Sequence, residues 1–69
     1  MDMSMKKYEI GETVSLTPCN GDGHVSGVLY DIPRMNEFRL NVDDLPRTYN
    51  AGDFVGVAVN PTIGFYMIG

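Results

Sequence analysis

Phe54-Val55-Gly56-Val57-Ala58-Val59 is the stretch that decides the fold, because it is the clearest β-strand pattern in this chain of 69 residues. A turn containing Pro61 follows at residues 60–64, and Phe65-Tyr66-Met67-Ile68 then forms a second apolar run. Runs of β-branched and aromatic residues on either side of a turn with Pro and Gly are typical of a β-hairpin. These residues predict the last two strands of an all-β fold.

Two more strands are expected upstream, joined by a hairpin. Apolar residues at 8, 10, 14 and 16 share one parity, which indicates a half-buried strand, and Gly11 interrupts it at a turn or bulge. Asn20-Gly21 and Asp22-Gly23 are favoured hairpin dipeptides because they tolerate positive φ angles. The second strand then runs over residues 24–32. A bulge is expected at Gly27, where the apolar parity shifts.

Residues 33–45 have two interpretations. A turn at 33–36 followed by apolar residues at every second position from 38 to 42 predicts a third strand. Helical spacing fits part of the same segment, so a short helix or a 3-10 turn within 33–48 is the alternative. Asn41 and Asp43 are poor helix formers and favour the strand.

The segment 43–52 is expected to be a loop, with one 3-10 turn around Leu45. Five short strands within residues 7–69 predict a single all-β domain, a closed or nearly closed small barrel. Residues 1–6 are expected to be a flexible lead-in. A chain this short buries only about 60% of its unfolded surface. Cys19 is the only cysteine, so an intrachain disulfide cannot add stability. A compact barrel or a core shared between two copies is therefore expected.

The charge of the chain points away from nucleic acid. The net charge is -4, with five basic residues against nine acidic ones, whereas nucleic-acid binding depends on Lys and Arg that neutralise phosphates. An acidic surface suits a basic protein partner. The unpaired Cys19 is consistent with a reducing, cytoplasmic location. No apolar run approaches the ~20 residues of a membrane helix, so no membrane contact is expected.

The candidate partner-binding residues lie in the expected 43–52 loop and just beyond it. Asp43, Asp44 and Asp53 would form an acidic rim that docks a basic partner. Arg47 and Tyr49 lie in the same polar segment, and Arg and Tyr are enriched among residues that dominate binding energy. A plain solvated loop is the alternative for this whole segment.

No catalytic residue, metal site or cofactor is expected. Cys19 and His24 flank the predicted hairpin tip with Asp22 between them, but three ligands on one loop make a weak metal site. A Cys–His nucleophile pair would need a third group to hold the base and a cleft, and so short a chain offers neither. An exposed turn is the preferred interpretation.

The last strand has two interpretations. Phe65 to Ile68 is wholly apolar, and an apolar strand at a sheet edge invites pairing with a second chain. This would give a homodimer through the C-terminal strand. The alternative is a central strand that closes the barrel.

The order of features resembles that of SH3-like small barrels, including the KOW type. The resemblance covers most of the chain and rests on Gly11-Glu12-Thr13-Val14, the Gly21–Gly23 turn, Gly27-Val28 and Gly52-Asp53-Phe54-Val55. It implies a five-stranded SH3-like barrel. Such families bind peptides, ribosomal RNA or polymerase subunits, but the basic patch of the RNA-binding members is missing here.

A second resemblance is to swapped-hairpin regulators and antitoxins of the AbrB and MazE type. It rests on Gly27-Val28, Ile32-Pro33-Arg34, residues 52–57 and the apolar segment 63–68. The stretch between Pro33 and Gly52 is several residues longer than in that pattern. The resemblance implies an interleaved dimer that binds DNA, for which the basic residues available are Arg34, Arg39 and Arg47.

The sequence thus predicts a small, acidic, non-enzymatic module that docks on a protein partner and modulates it. Its compactness and acidity are similar to those of small phage-encoded inhibitors of host factors, which act in the host cytoplasm. The alternative is the dimeric swapped-hairpin regulator or antitoxin that binds DNA.

Overall fold

A computed structural model describes residues 5–21 and 23–68. The described residues form seven β-strands and one 3-10 turn, and contain no α-helix, which confirms the all-β prediction. The elements are β1 (Met5–Tyr8), β2 (Thr13–Leu16), β3 (Val25–Arg34), β4 (Glu37–Val42), β5 (Leu45–Asn50), the 3-10 turn Ala51–Asp53, β6 (Val57–Asn60) and β7 (Gly64–Ile68). Of the expected lead-in 1–6, residues 1–4 lie outside the described part and Met5 and Lys6 belong to β1.

The strands form two antiparallel sheets, with the orders β1-β7-β6 and β2-β3-β4-β5. The expected closed, five-stranded barrel is therefore wrong on both counts. Few backbone contacts join the two sheets among the described residues. Pro18 and Phe54 form an isolated bridge, and the Asn36 N–H donates a hydrogen bond of 3.0 Å to the Val59 carbonyl. The sheets are therefore not joined by a continuous hydrogen-bonded ladder.

Two features raise the strand count from five to seven. Gly11 has a φ of 100°, in a region that favours glycine, and it turns the expected first strand into β1 and β2 of different sheets. The Gly11 N–H donates a hydrogen bond of 2.7 Å to the Leu29 carbonyl, which anchors the chain where it passes from one sheet to the other. The second feature is β5, which occupies most of the expected 43–52 loop.

Residues 33–45 contain strand and no helix, so the strand interpretation is confirmed. The turn differs from the expected one, because β3 continues through Pro33 to Arg34 and Met35-Asn36 makes the turn. Asn36 has a φ of 62°, a conformation that Asn tolerates better than most residues. The 3-10 turn lies at Ala51–Asp53, outside the expected span of 33–48.

Gly27 does not mark a bulge. The β2–β3 register is continuous through the Val14–Gly27 pair, and the irregularities of β3 lie between Leu29 and Asp31 and between Asp31 and Arg34. The apparent parity shift arises because Val28 faces outward and is 36% exposed. Glycine is needed at position 27 for space, since an added Cβ would lie 2.5 Å from the carbonyl oxygen of Asn41.

The C-terminal hairpin is confirmed, with a later start. β6 begins at Val57, whereas Phe54 forms the bridge to Pro18. β7 pairs with β1 on one side and with β6 on the other. The last strand is therefore central in its sheet, as the second interpretation has it, but it does not close a barrel. Both edges of its backbone are paired.

The core lies between the sheets and is built around Phe38, which is fully buried. Its ring contacts Phe65 edge to face at a centroid distance of 5.1 Å and Phe54 at 5.8 Å. Among residues 5–21 and 23–68, nine apolar side chains are buried, namely Val14, Leu16, Leu29, Phe38, Leu40, Ala51, Phe54, Val59 and Phe65. A hydrophobic core therefore forms without a contribution from a second copy.

Candidate protein-binding edge

Among the described residues, β5 is the longest strand at a sheet edge. It has six residues and pairs only with β4, whereas the other edge strands, β1, β2 and β6, have four each. Two of those shorter edges are partly covered: the Val59 carbonyl of β6 accepts from Asn36, and Thr17, just after β2, accepts from the Val55 N–H. An unpaired edge offers backbone donors and acceptors to another chain.

The turn that leads into β5 consists of Asp43 and Asp44. Both have positive φ angles, 53° and 65°, and they connect the paired residues Val42 and Leu45. Two left-handed residues between paired strands are typical of a type I′ hairpin, and Asp tolerates that conformation. Both carboxylates are exposed at the end of the hairpin.

Alternate residues of β5 face the core side of the sheet. Leu45, Arg47 and Tyr49 lie opposite Val42, Leu40 and Phe38 respectively. Tyr49 is half-buried, stacked on Phe38 at a centroid distance of 5.7 Å and in edge contact with Phe54 at 5.6 Å. Leu45 and Arg47 overhang the sheet and stay exposed, Leu45 at 56%. Together these three side chains form a row of two apolar groups and one cationic group along one face of β5.

The backbone of β5 alternates between bonds to β4 and bonds to the outside. In a two-residue hairpin the residues flanking the turn form a hydrogen-bonded pair, and bonded and non-bonded pairs then alternate. With this alternation Pro46, Thr48 and Asn50 direct their backbone groups away from β4. Pro46 has no N–H to donate, which fits such a position. Thr48 therefore supplies a complete donor and acceptor pair on the open side.

The structure brings some of the predicted site residues together and separates others. Arg47 and Tyr49 share one strand face, as a strand pair and not as the loop pair that was expected. Asp43 and Asp44 lie at one end of β5, and Asp53 lies beyond the other end in the 3-10 turn. Six residues at about 3.4 Å each put roughly 20 Å between these ends. The carboxylates therefore bracket the edge and do not form a single cluster.

No salt bridge within residues 5–21 and 23–68 involves the three bracketing carboxylates. The pairs there are Lys7 with Glu9, at 3.7 Å, and Arg34 with Glu37, at 3.1 Å. Asp43, Asp44 and Asp53 are all exposed. Both ends of the edge consequently carry negative charge that no described basic side chain neutralises by direct contact.

Sequence reasoning missed Leu45 and Thr48. Thr48 accepts a hydrogen bond of 3.1 Å from Nε of Arg39, whose guanidinium carbon lies 5.4 Å from the Tyr30 ring centroid. The sequence does contain a pattern that indicates this strand. If Asp43-Asp44 is a two-residue turn, residues 45, 47 and 49 pair with residues 42, 40 and 38, which alternate as a strand. Pro46 and Asn50 obscured it, because both residues are uncommon in strands.

The Cys19 and His24 side chains have different partners. Cys19 Sγ lies 3.8 Å from the Gly52 carbonyl, while Nδ1 of His24 lies 3.4 Å from Oγ1 of Thr17. Within the described residues no three His, Cys, Asp or Glu side chains are grouped to hold a metal. Asp22, the third ligand considered from the sequence, lies outside them.

The cavities formed by the described residues include two open ones that no β5 residue lines. One of about 340 Å³ lies beside the 3-10 turn and is lined by Pro18, Cys19, Asn20, Val25, Gly52, Asp53 and Phe54. The other, of about 300 Å³, lies where the β6–β7 turn meets residues 7–10 and 31–32. Across the described residues, no helix has the length and hydrophobicity needed to cross a membrane.

Comparisons of the chain with protein-family models, curated proteins and solved structures find no match. The functional assignment consequently depends on the geometry of the β5 edge and on charge.

Proposed function

We propose that this chain is a small, acidic, non-enzymatic binding module that docks on a protein partner by accepting an extended segment along β5. The observation that carries the proposal is the six-residue unpaired edge with acidic residues at both ends. Strand addition to an exposed sheet edge is a common mode of peptide recognition, in which the backbone gives affinity and alternate side chains give specificity.

The chemistry of the edge favours a basic, extended partner segment. Thr48 offers its N–H and carbonyl to an incoming strand, and Leu45 and Tyr49 offer apolar contacts to every second side chain. Lys or Arg at the two ends of the segment would meet Asp43 and Asp44 at one end and Asp53 at the other. Complementary charge of this kind raises association rates and fixes the register of binding.

A biological setting that suits such a module is inhibition of a host factor by a phage protein in the host cytoplasm. Small size and acidity support this setting.

The test is a display library of extended eight-residue peptides, followed by fluorescence anisotropy on the selected peptides. We expect enrichment of β-forming peptides with basic ends. The double variant Asp43→Asn/Asp44→Asn should weaken binding about 2- to 30-fold at low salt, since exposed charge pairs contribute about 0.2–1 kcal/mol each. Asn tolerates left-handed φ angles, so the turn should persist.

The matched control is Glu9→Gln/Glu12→Gln, which removes the same two charges from exposed positions between β1 and β2, away from β5. It should bind as the wild type does. Amide exchange gives a second readout, because a bound strand should slow exchange at Thr48 selectively. Binding that is equally weak in both double variants, or peptide binding without protection of Thr48, contradicts the proposal.

The swapped-hairpin DNA-binding dimer stays a prediction that no specific observation favours. Arg34 is paired with Glu37 and Arg39 lies over Tyr30. A buried core already exists within one chain.

A further inference from the structure

Arg47 is exposed at the middle of the β5 edge, on the face that it shares with Leu45 and Tyr49. Within residues 5–21 and 23–68 its guanidinium group makes no salt bridge, hydrogen bond or ring contact. The chain has four other basic residues, and each of them contacts a carboxylate or an aromatic ring, namely Lys6, Lys7, Arg34 and Arg39. Among these five cations, Arg47 is the one left to pair with another molecule.

A strand added along β5 would bring one side chain directly beside Arg47. Neighbouring residues on adjacent strands point to the same face of a sheet, with Cβ atoms about 4.5–5.5 Å apart. Thr48 directs its backbone groups to the open side, so an antiparallel segment would bond at Thr48 and meet Arg47 in a non-bonded pair, where side chains lie closest. Leu45 and Tyr49 would meet the residues two positions to either side of this central residue.

The charge of Arg47 restricts which segments the edge accepts. A charged side chain that points inward from an edge strand opposes the addition of another strand. A basic residue beside Arg47 would be repelled, and an apolar one would remove water from the guanidinium group without pairing it. A carboxylate would instead accept charge-assisted hydrogen bonds, often two in parallel, from the planar guanidinium group. Arg47 therefore discriminates by rejection as well as by attraction.

We propose that Arg47 selects partner segments that carry Asp or Glu at their centre, flanked two positions away on each side by apolar residues. The proposal rests on the proposed function, because it requires an extended segment bound along β5. The edge carries negative, positive and negative charge in turn, at Asp43-Asp44, Arg47 and Asp53. Its complement is basic at both ends and acidic in the middle. A uniformly basic segment would fit the ends of the edge but would be repelled at its centre.

Three synthetic peptides that differ only at the central position, as Glu, Gln or Lys, test the proposal on the full chain. All three have basic ends and Val at the flanking positions, a pattern that reads the same in both strand directions. In fluorescence anisotropy at low salt, the Glu peptide should bind about 3-fold tighter than the Gln peptide and about 10-fold tighter than the Lys peptide. Arg47→Glu should reverse the order of the Glu and Lys peptides. Arg47→Leu should bind the Glu and Gln peptides equally.

Lys6→Glu is the matched control, since it makes the same reversal of charge at an exposed position of β1, in the other sheet. It should keep the wild-type order of affinities. Equal binding of the three peptides by the wild type overturns the inference and leaves the proposed function standing, as does a preference that Arg47→Glu and Lys6→Glu change equally. Absence of binding by all three peptides overturns both. The wild-type comparison needs no variant, and circular dichroism establishes that each variant is folded.

Discussion

The two sheets share one core but present opposite outer faces. The four-stranded sheet has an outer face of hydroxyl and amide side chains, including Thr13, Ser15, Ser26, Asn41 and Thr48, all exposed. The three-stranded sheet presents Met5, Tyr66 and Ile68 instead. Hydroxyl and amide groups lose little by remaining in water, whereas exposed apolar area costs about 25 cal/mol per Å². The comparison shows that two sheets that share one core differ in the polarity of their outer faces.

The largest effect is expected where the two sheets meet. Phe38→Ala removes a ring that packs against Phe54 and Phe65 from different parts of the chain. The free energy of unfolding should fall by about 3–5 kcal/mol. In a chain this small, that loss is comparable to the whole stability. Urea unfolding followed by circular dichroism and tyrosine fluorescence measures it.

Both sheets should be lost together in that variant, because they share the core. Val28→Ala, at a partly exposed position on the outer face, should cost about 1 kcal/mol or less. Separate transitions for the two probes would mean that the sheets are independently stable.

An intermediate effect is expected within the four-stranded sheet alone. In Gly27→Ala the new Cβ would lie 2.5 Å from the Asn41 carbonyl oxygen and 2.9 Å from Cγ2 of Val42. β3 and β4 must separate locally, at a cost of about 1–3 kcal/mol. Amide exchange should accelerate in β2 to β5 more than in β1, β6 and β7.

Gly23→Ala is the control for that experiment, since its Cβ would meet no atom within 4 Å. Its stability should stay within about 1 kcal/mol of the wild type. Equal destabilisation by both changes would show that loss of glycine flexibility, and not crowding by β4, is the cause.

The smallest effect is expected at the β4–β5 turn. Asp44 has a φ of 65°, and a β-branched residue is disfavoured in that region. Asp44→Val should cost about 1–2 kcal/mol, and Asp44→Asn should be close to neutral. Urea midpoints compare the two variants. If Val and Asn are tolerated equally, the turn is not a left-handed two-residue hairpin.

Much of the fold could be predicted from the sequence where alternation is regular. Residues 38–42, 57–59 and 65–68 alternate or are wholly apolar, and they form strands as expected. The β5 strand could not be recognised from its composition, because its one aromatic residue, the half-buried Tyr49, owes its position to Phe38 and Phe54 in other segments. The division between β1 and β2 depends on the φ of one glycine, Gly11, which composition alone does not fix.

The sequence indicates which segment contains the candidate site, but not that this segment forms a strand. Asp43, Asp44, Arg47, Tyr49 and Asp53 were expected to form part of a loop. Pairing with β4 arranges them along a line instead, with the carboxylates at its two ends. That arrangement follows from the hairpin register, which a sequence specifies only once the turn residues are known.

The pairing of Met5 with Ile68 has a mechanical consequence. A force that pulls these two residues apart loads the β1–β7 ladder one pair at a time, like a zipper, instead of loading all four pairs at once. Each hydrogen bond contributes only about 1 kcal/mol, so the ladder should open at low force. The three-stranded sheet would then unravel first. The β2 to β5 meander, which this ladder does not hold, should resist longer when the chain is stretched or drawn into a narrow pore.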